Sequence, residues 1–340
     1  MGRVAVVGAY GEVGACAVAE LGGADLRVGG RDPHRTQALA EKAGAEPMTV
    51  DVTDARSLAA FCAGSDVVLN CAGPALTVGA RVAEAAQAAG AAYVDAAGDD
   101  PLHAALTALP WTGSRPAVLS AGMMPGLSGL LPMLLGPCAR LTGYVGGCDT
   151  FTPVAARDYL AATAGGYGRS GVAWRAGGKI ALGTLRDARI PGFPGTVTAV
   201  PYLSTETERL AERLGAAEVD WYSVFTGPHV VAALSRGEDA AGLCAAAELD
   251  SFGRQRYQLM VFESGDGRRL VCRATGAGAL SGAAAATAVI AVLDGLVPPG
   301  VWHLPQALDP QWAVSRLAAG PAVIGLHVLA GEAAEEEGTL

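Results

Sequence analysis

Lysine is nearly missing from this sequence. Of 24 basic residues in 340, two are lysine, Lys42 and Lys179. The basic residues are outnumbered by 33 acidic ones, leaving a net charge of −9. Nucleic acids and anionic membranes both need a basic face, so neither is expected as a partner. Cysteine is sparse: seven residues, at 16, 62, 71, 138, 148, 244 and 272, with no CxxC pair. An odd, scattered set excludes a disulfide frame and predicts reduced thiols in a cytoplasmic protein. No His, Cys or carboxylate group recurs at metal-ligand spacing, so no metal is expected. A nucleophile elbow is also missing, which removes the basis for a Ser–His–Asp hydrolase. The chain enters a strand at once, and no signal peptide is expected. Gly276–Leu293 carries no charge but is mostly alanine and glycine. Such residues add little to membrane insertion, and the stretch reads as a closely packed core helix.

What is present begins with MGRVAVVGAYGEVGA. The apolar run Val4–Val7 ends in Gly8, and Gly11 and Gly14 follow at three-residue spacing, before an alanine-rich segment from Ala15 to Leu21. This is strand, glycine turn, helix. Gly8 makes the turn, Gly11 lets backbone approach a pyrophosphate, and Gly14 lets helix pack on strand. The pyrophosphate is expected on Tyr10, Gly11, Glu12 and Val13. A second strand, Asp25–Gly30, ends in Gly30 and Arg31, where NAD-type folds usually carry a carboxylate for the ribose 2′-hydroxyl. An arginine pairs with a 2′-phosphate that a carboxylate would repel. NADP is therefore expected over NAD, held by Arg31 and, one helical turn on, Arg35.

Further units repeat the pattern. Pro33–Gly44 reads as helix and 46–52 as strand, with Asp51 at its end toward the adenine edge. Asp54 caps a helix to Cys62. Strand Asp66–Cys71 leads into Asn70, Cys71, Ala72, Gly73 and Pro74, a small-residue turn expected beside the nicotinamide ribose together with Gly98. Thr77–Ala89 reads as one amphipathic helix, and Ala91–Ala96 and Ala117–Ala121 as strands. Strands alternating with helices at this spacing predict a doubly wound parallel sheet with right-handed crossovers. After residue 121 the pattern changes. A Pro-Gly turn opens an apolar helix, and short β-like runs follow: Leu141–Cys148, Ile180–Arg189, Thr196–Val200, Val219–Phe225, Tyr257–Ser264 and Arg268–Ala274, the last two joined at Gly265–Gly267. Helices fit Thr205–Leu214, Val230–Leu234 and Glu238–Glu248. The expected organisation is α/β: a Rossmann domain from residues 1–121 and 276–331, an inserted mixed, largely antiparallel α+β domain at 122–275, and a frayed tail at 332–340.

VVGAYGEVG, VGGRD, DVVLNCAGP, AAYVDAAGD, GMMPGLSGLL and PPGVWHLPQALDP together resemble the saccharopine dehydrogenase-like reductases. The resemblance is good over the first 130 residues, moderate over 276–310 and thin between 140 and 270. It implies a bilobal build, often dimeric through the mixed sheet. It also implies NAD(P)H-dependent chemistry at a carbon–nitrogen bond, the group including thiazolinyl imine reductases.

Hydride transfer needs an oriented nicotinamide and an acid near the imine nitrogen. The candidates are His229, Lys179, Asp149 and Tyr167, with water as an alternative. Asp99 and Asp100 also stand at a strand's carboxyl end, where a helix-cap reading competes. The glycine-rich stretch Ala164–Lys179, carrying Tyr167, Arg169, Ser170, Trp174 and Arg175, reads as a candidate lid. Met123, Met124, Arg169 and Trp174 are the expected substrate contacts. His303 reads as structural, and His34 and His103 as surface residues. The expected function is NADPH-dependent reduction of a C=N bond in a small, carboxylated, amino-acid-derived metabolite, by a homodimer. A non-catalytic NADP sensor or scaffold, and an NADP-dependent dehydrogenase of a C–O bond, remain alternatives.

Overall fold

The computed structural model describes residues 2–108, 111 and 115–329. The chain divides into two compact units. The first holds residues up to Leu127 together with Gly278–Ala322, and the second holds Ser128–Ala277 and the strand that starts at Val323. The expected tail at 332–340 lies outside the described residues.

The first unit starts with β1 (Arg3–Val7), α1 (Glu12–Glu20), β2 (Asp25–Gly30) and α2 (Pro33–Ala43). Asp32 caps α2 by accepting the His34 and Arg35 N–H groups, and Gly44 ends it in the left-handed region. β3 (Glu46–Thr49) is shorter than the expected 46–52, because Asp51 folds into a turn with Thr53. Asp54 caps α3 (Ala55–Cys62), and β4 (Val67–Asn70) follows. The single helix expected at Thr77–Ala89 is two, α4 (Ala75–Val78) and α5 (Arg81–Ala88), split at Gly79 where φ is +56°. β5 (Ala92–Asp95), α6 (Asp100–Ala108) and β6 (Pro116–Leu119) complete the N-terminal run.

The second unit starts inside α7 (Leu127–Leu130), and a 3₁₀ turn over Leu131–Leu135 follows. β7 (Arg140–Cys148) leads to α8 (Pro153–Ala164), a helix that the sequence reading did not contain. β8 (Gly168–Ser170), β9 (Val172–Arg175), β10 (Gly178–Ala181), β11 (Leu185–Ala188), β12 (Val197–Ser204), α9 (Thr205–Leu214) and β13 (Glu218–Phe225) come next. The chain continues through α10 (Pro228–Arg236), α11 (Ala240–Ser251), β14 (Tyr257–Ser264) and β15 (Arg269–Ala274). α12 (Ala277–Leu293), β16 (Gly300–His303), α13 (Leu304–Ala307) and α14 (Pro310–Ala318) then add to the first unit, and β17 (Val323–Leu329) to the second.

The first sheet is seven-stranded, in the order β16-β6-β5-β4-β1-β2-β3, and every pairing is parallel. Its central strands are buried on both faces, as the continuous runs of valine and alanine require. The order turns back between β1 and β4, which places the ligand crevice of a doubly wound sheet at their carboxyl ends. The second sheet is ten-stranded and mixed: β13 pairs β7 in parallel, while β14, β15 and β17 continue antiparallel. Pairing of β17 with β15 corrects the expectation that the first domain runs to residue 331. The stretch expected as a lid, 164–179, is built into this sheet. β8 pairs β12, and β9 pairs both β10 and β13.

Alanine and glycine have a packing reason in α12. A Cβ on Gly282 would lie 2.6 Å from the Cys16 Cβ and 2.7 Å from the Val13 oxygen, so α12 meets α1 backbone to backbone. No helix among the described residues is long and apolar enough to cross a membrane. Gly282→Val should therefore overpack this contact and cost about 1–3 kcal/mol. Thermal unfolding followed by circular dichroism checks it, and an unchanged midpoint would remove the close approach.

Candidate functional site: the carboxyl edge of the parallel sheet

Gly8 has φ +72°, and a Cβ there would strike the Cys71 and Ala72 backbone at 2.7–2.8 Å. A Cβ on Gly14 would sit 2.4 Å from the Gly8 oxygen. Both positions need glycine for different reasons, one for the turn and one for helix-on-strand packing. Helix geometry leaves the first N–H groups of α1 without intrahelical carbonyls, and they face the space beyond the turn. Glu12 puts a carboxylate in that first turn, and its stem fills the place a Gly278 side chain would take.

The end of β2 is shaped by Tyr10. A Cβ on Gly30 would lie 2.3 Å from the Tyr10 ring, so the ring occupies the space a carboxylate side chain would claim. The Tyr10 hydroxyl accepts the Asp32 N–H at 3.0 Å, and the Arg35 guanidinium lies 4.4 Å over the ring while donating to the Tyr10 carbonyl at 3.3 Å. Arg31 is exposed beside it. Asp32 spends its carboxylate on the α2 cap. Asp51 accepts the Thr53 N–H at 2.9 Å and its hydroxyl at 2.8 Å. These bonds hold its carboxyl below the ordinary range, and the charge of Arg31 adds to the effect.

A residue not singled out from sequence organises the next part. Asp95 ends β5 directly opposite Asn70 on β4 and is 3% exposed. One carboxylate oxygen accepts the Asn70 amide at 2.9 Å and the Tyr93 hydroxyl. The other accepts the N–H groups of Ala97 at 2.9 Å and Gly98 at 2.7 Å. Asn70 in turn accepts the Ala72 N–H at 3.0 Å. The turns at Ala72–Pro74 and Ala97–Gly98 are thereby tied to one buried carboxylate, and the Gly73–Pro74 peptide is cis. Burial and then the Asp95 charge push the Tyr93 hydroxyl well above its usual range. A sequence signal existed: a lone acid inside the buried run AAYVDAA.

β6 and β16 add a third cluster at the same edge. Ser120 is fully buried with φ +54°, a strained conformation for a residue with a side chain. Its N–H and its hydroxyl both donate to the Gly98 carbonyl, at 2.6 and 2.9 Å. His303, 5% exposed at the end of β16, brings Nδ1 within 2.9 Å of that hydroxyl. His103, expected at the surface, is half-buried and stacks on the His303 ring at 4.7 Å. Met123, an expected substrate contact, is half-buried and donates its N–H to the Ser281 hydroxyl at 3.2 Å; Met124 is half-buried beside it.

The four proposed acids lie in the second unit, and the side chains of Asp149, His229 and Lys179 each have a partner of their own. Asp149 accepts the Ala277 N–H at 2.7 Å and the Thr150 N–H at 2.8 Å, with Arg256 at 3.4 Å. His229 is exposed at the start of α10, with Nδ1 2.6 Å from Asp250, whose carboxylate also accepts the His229 and Val230 N–H groups. Lys179 pairs with Glu208 at 2.5 Å. Tyr167 is half-buried with its ring over Gly165, and its carbonyl accepts the Thr205 N–H. Arg169 is exposed on β8 opposite Leu203, and Trp174 on β9 faces Lys179 and Val219. Asp149 and His229 serve helix ends, and Lys179, Arg169 and Trp174 are strand residues rather than parts of a lid.

Comparison with known proteins fits this geometry. Residues 4–113 match the family model described as saccharopine dehydrogenase NADP binding domain. Among solved structures, apo saccharopine dehydrogenase (L-Glu forming) from Saccharomyces cerevisiae shares the fold. The TM-score is 0.68 at 16% identity, over 97% of this chain and 100% of that one. A putative myo-inositol dehydrogenase from Sinorhizobium meliloti matches at a TM-score of 0.47 and 12% identity, over 94% and 96% of the two chains. No curated protein matches the chain in sequence.

Two outcomes are expected from this arrangement. Asp95→Ala strands the Asn70 amide, the Tyr93 hydroxyl and two N–H groups, and should cost about 3 kcal/mol or more in urea unfolding. A loss below about 1 kcal/mol would deny the carboxylate its organising role. Burial raises the Cys62 thiol from 9.0 to about 11, with Arg27 opposing slightly. At pH 8 its thiolate fraction should be roughly 100-fold below that of an unshifted thiol, and should grow as pH climbs toward that value. Iodoacetamide labelling read by mass spectrometry should find Cys62 slow in the native chain and fast in urea; equal rates would contradict the burial.

Proposed function

We propose that this protein, whose residues 4–113 match the saccharopine dehydrogenase NADP binding domain model, is an NADPH-dependent reductase of a C=N bond in a small carboxylated metabolite. The observation that carries the cofactor choice is the end of β2. Gly30 and the Tyr10 ring exclude a ribose-binding carboxylate, and Arg31 with Arg35 supplies positive charge there. The pyrophosphate is assigned to the first turn of α1, and the nicotinamide ribose to the turns that Asp95 holds, Ala72–Pro74 and Gly98. NADPH supplies the hydride when bound. The chain's part is to orient the nicotinamide, keep its turns rigid and hold the 2′-phosphate.

The proton is assigned to water, since Asp149, His229 and Lys179 are engaged with Ala277, Asp250 and Glu208. An imine is basic enough to be protonated before hydride arrives, which an alkoxide-forming reduction of C=O does not allow. That asymmetry ranks the C=N reading above the C–O alternative. A dinucleotide sensor without turnover is the reading from another class, and it predicts cofactor binding with no NADPH consumption by any imine. We place the reductase in the cytoplasm as a homodimer, in keeping with seven unpaired thiols and the family resemblance.

Arg31→Ala and Arg35→Ala should each weaken NADPH binding about 10-fold or more while leaving NADH binding within about twofold, as loss of a charge-assisted contact implies. Fluorescence of the reduced nicotinamide reads both. Equal affinity for the two cofactors in the wild type would move Arg31 out of the site. Oxidation of NADPH on screening cyclic and open-chain amino-acid-derived imines tests the reaction itself.

A further inference from the structure

Resting on the cofactor reading above, we propose that Tyr10 determines the cofactor preference in two ways. It positions the Arg35 guanidinium for a 2′-phosphate, and it holds closed the place from which an acid would bind a ribose hydroxyl. The glycines at 8, 11 and 14 explain backbone approach to a pyrophosphate, and they give no role to the side chain between them. Tyr10 carries no charge for the phosphate and acts through its neighbours, so it is a positioning residue.

The ring is anchored at both ends. At the backbone, the Ala9 N–H donates to the Gly29 carbonyl at 3.0 Å, which holds the glycine loop against the end of β2. At the tip, the Tyr10 hydroxyl accepts the Asp32 N–H at 3.0 Å. Between these points the ring runs along Gly30. A Cβ on Gly30 would lie 2.3 Å from Cε1, 2.8 Å from Cζ and 3.1 Å from Cδ1 of Tyr10, and these are its three nearest atoms. The bar to a side chain at residue 30 is therefore the ring. Swinging the ring aside would release the Asp32 N–H. The β2–α2 turn holds one carboxylate, Asp32, and it is turned into the α2 cap by the His34 and Arg35 N–H groups.

Arg35 is exposed, and an exposed arginine samples many rotamers. Here its guanidinium lies 4.4 Å over the Tyr10 ring and donates to the Tyr10 carbonyl at 3.3 Å. A guanidinium has five N–H groups, and this contact uses one of them. An arginine oriented in advance loses less freedom on meeting a phosphate than a loose one. Both effects of Tyr10 thus favour the same cofactor. Removing the ring loosens Arg35 and opens residue 30 together, and an NAD-type acid at residue 30 needs two substitutions rather than one.

Fluorescence titration of the full chain with NADPH and with NADH tests this, the reduced nicotinamide serving as the probe. Tyr10→Leu should weaken NADPH about 5-fold and leave NADH within about twofold, as loss of an exposed cation–ring contact implies. Tyr10→Phe keeps the ring and should hold the preference within about twofold of the wild type. Tyr10→Leu added to Arg35→Ala should weaken NADPH by less than about a further twofold, because the ring acts through that arginine. Gly30→Asp alone should weaken NADPH without improving NADH. Tyr10→Gly combined with Gly30→Asp should bind NADH about 10-fold more tightly than Gly30→Asp does. Equal losses of both cofactors in Tyr10→Leu would reduce the residue to loop structure and overturn the proposal. Additive losses with Arg35→Ala, or tighter NADH binding from Gly30→Asp alone, would overturn it too. Tyr10→Leu carries the test should circular dichroism show the Gly30 variants unfolded. A wild type that binds both cofactors equally removes the cofactor reading and this role with it, whereas an NADPH preference that survives Tyr10→Leu removes only the role of Tyr10.

Discussion

The buried Asp95 carboxylate is the constraint on which the first unit's site depends. A charge at 3% exposure survives only if its hydrogen-bond capacity is filled, and four donors fill it. Two of those donors are N–H groups of the turn that ends at Gly98, and a third belongs to Asn70, which pins the turn after β4. The Gly98 carbonyl then receives Ser120, and Ser120 receives His303. One desolvated charge thus sets the positions of turns after β4, β5 and β6 and of the end of β16. Such a network is rigid because releasing any member leaves a buried polar group unsatisfied. A dinucleotide site gains from that rigidity, since a preformed turn pays its ordering entropy at folding rather than at binding.

Glycine placement follows the same logic of close approach. Gly8 and Gly14 let β1, the β4 turn and α1 come together, and Gly278 and Gly282 let α12 lie on α1. Gly30 is different in kind. It is absent of side chain because Tyr10 is there, and Tyr10 in turn carries Arg35. In the proposed cofactor assignment, the preference for a 2′-phosphate therefore rests on an aromatic ring from the glycine loop as much as on Arg31.

The parallel sheet was legible because each strand is a short apolar run ending in a small-residue turn, and those signals are local. β2 and α9 were placed at their observed bounds, as was β14. The second unit was less legible where strands are exposed. β10 and β11 carry almost no buried residue, so their pairing leaves no hydrophobic pattern, and glycines in 164–179 read as hinges rather than as strand ends. β17 was assigned to the wrong unit because its partner β15 lies some 50 residues earlier and the two share no local cue. Asp149, His229 and Lys179 looked chemically available for a related reason. A sequence shows that a titratable group exists, whereas the N–H groups and counter-charges that occupy it come from distant segments.

The same limit applies to His303, which read as structural and whose partners are likewise distant in sequence. Ser120 meets its Nδ1 from the residue after β6, 183 residues earlier, in a backbone conformation with positive φ that no local preference favours. Strain of that sort is held only where surrounding bonds over-determine the residue, and here the Gly98 carbonyl takes both Ser120 donors. The serine conformation is best understood as what joins the end of β16 to the turn at Gly98, so that the strain held at Ser120 and the network on Asp95 have a common explanation.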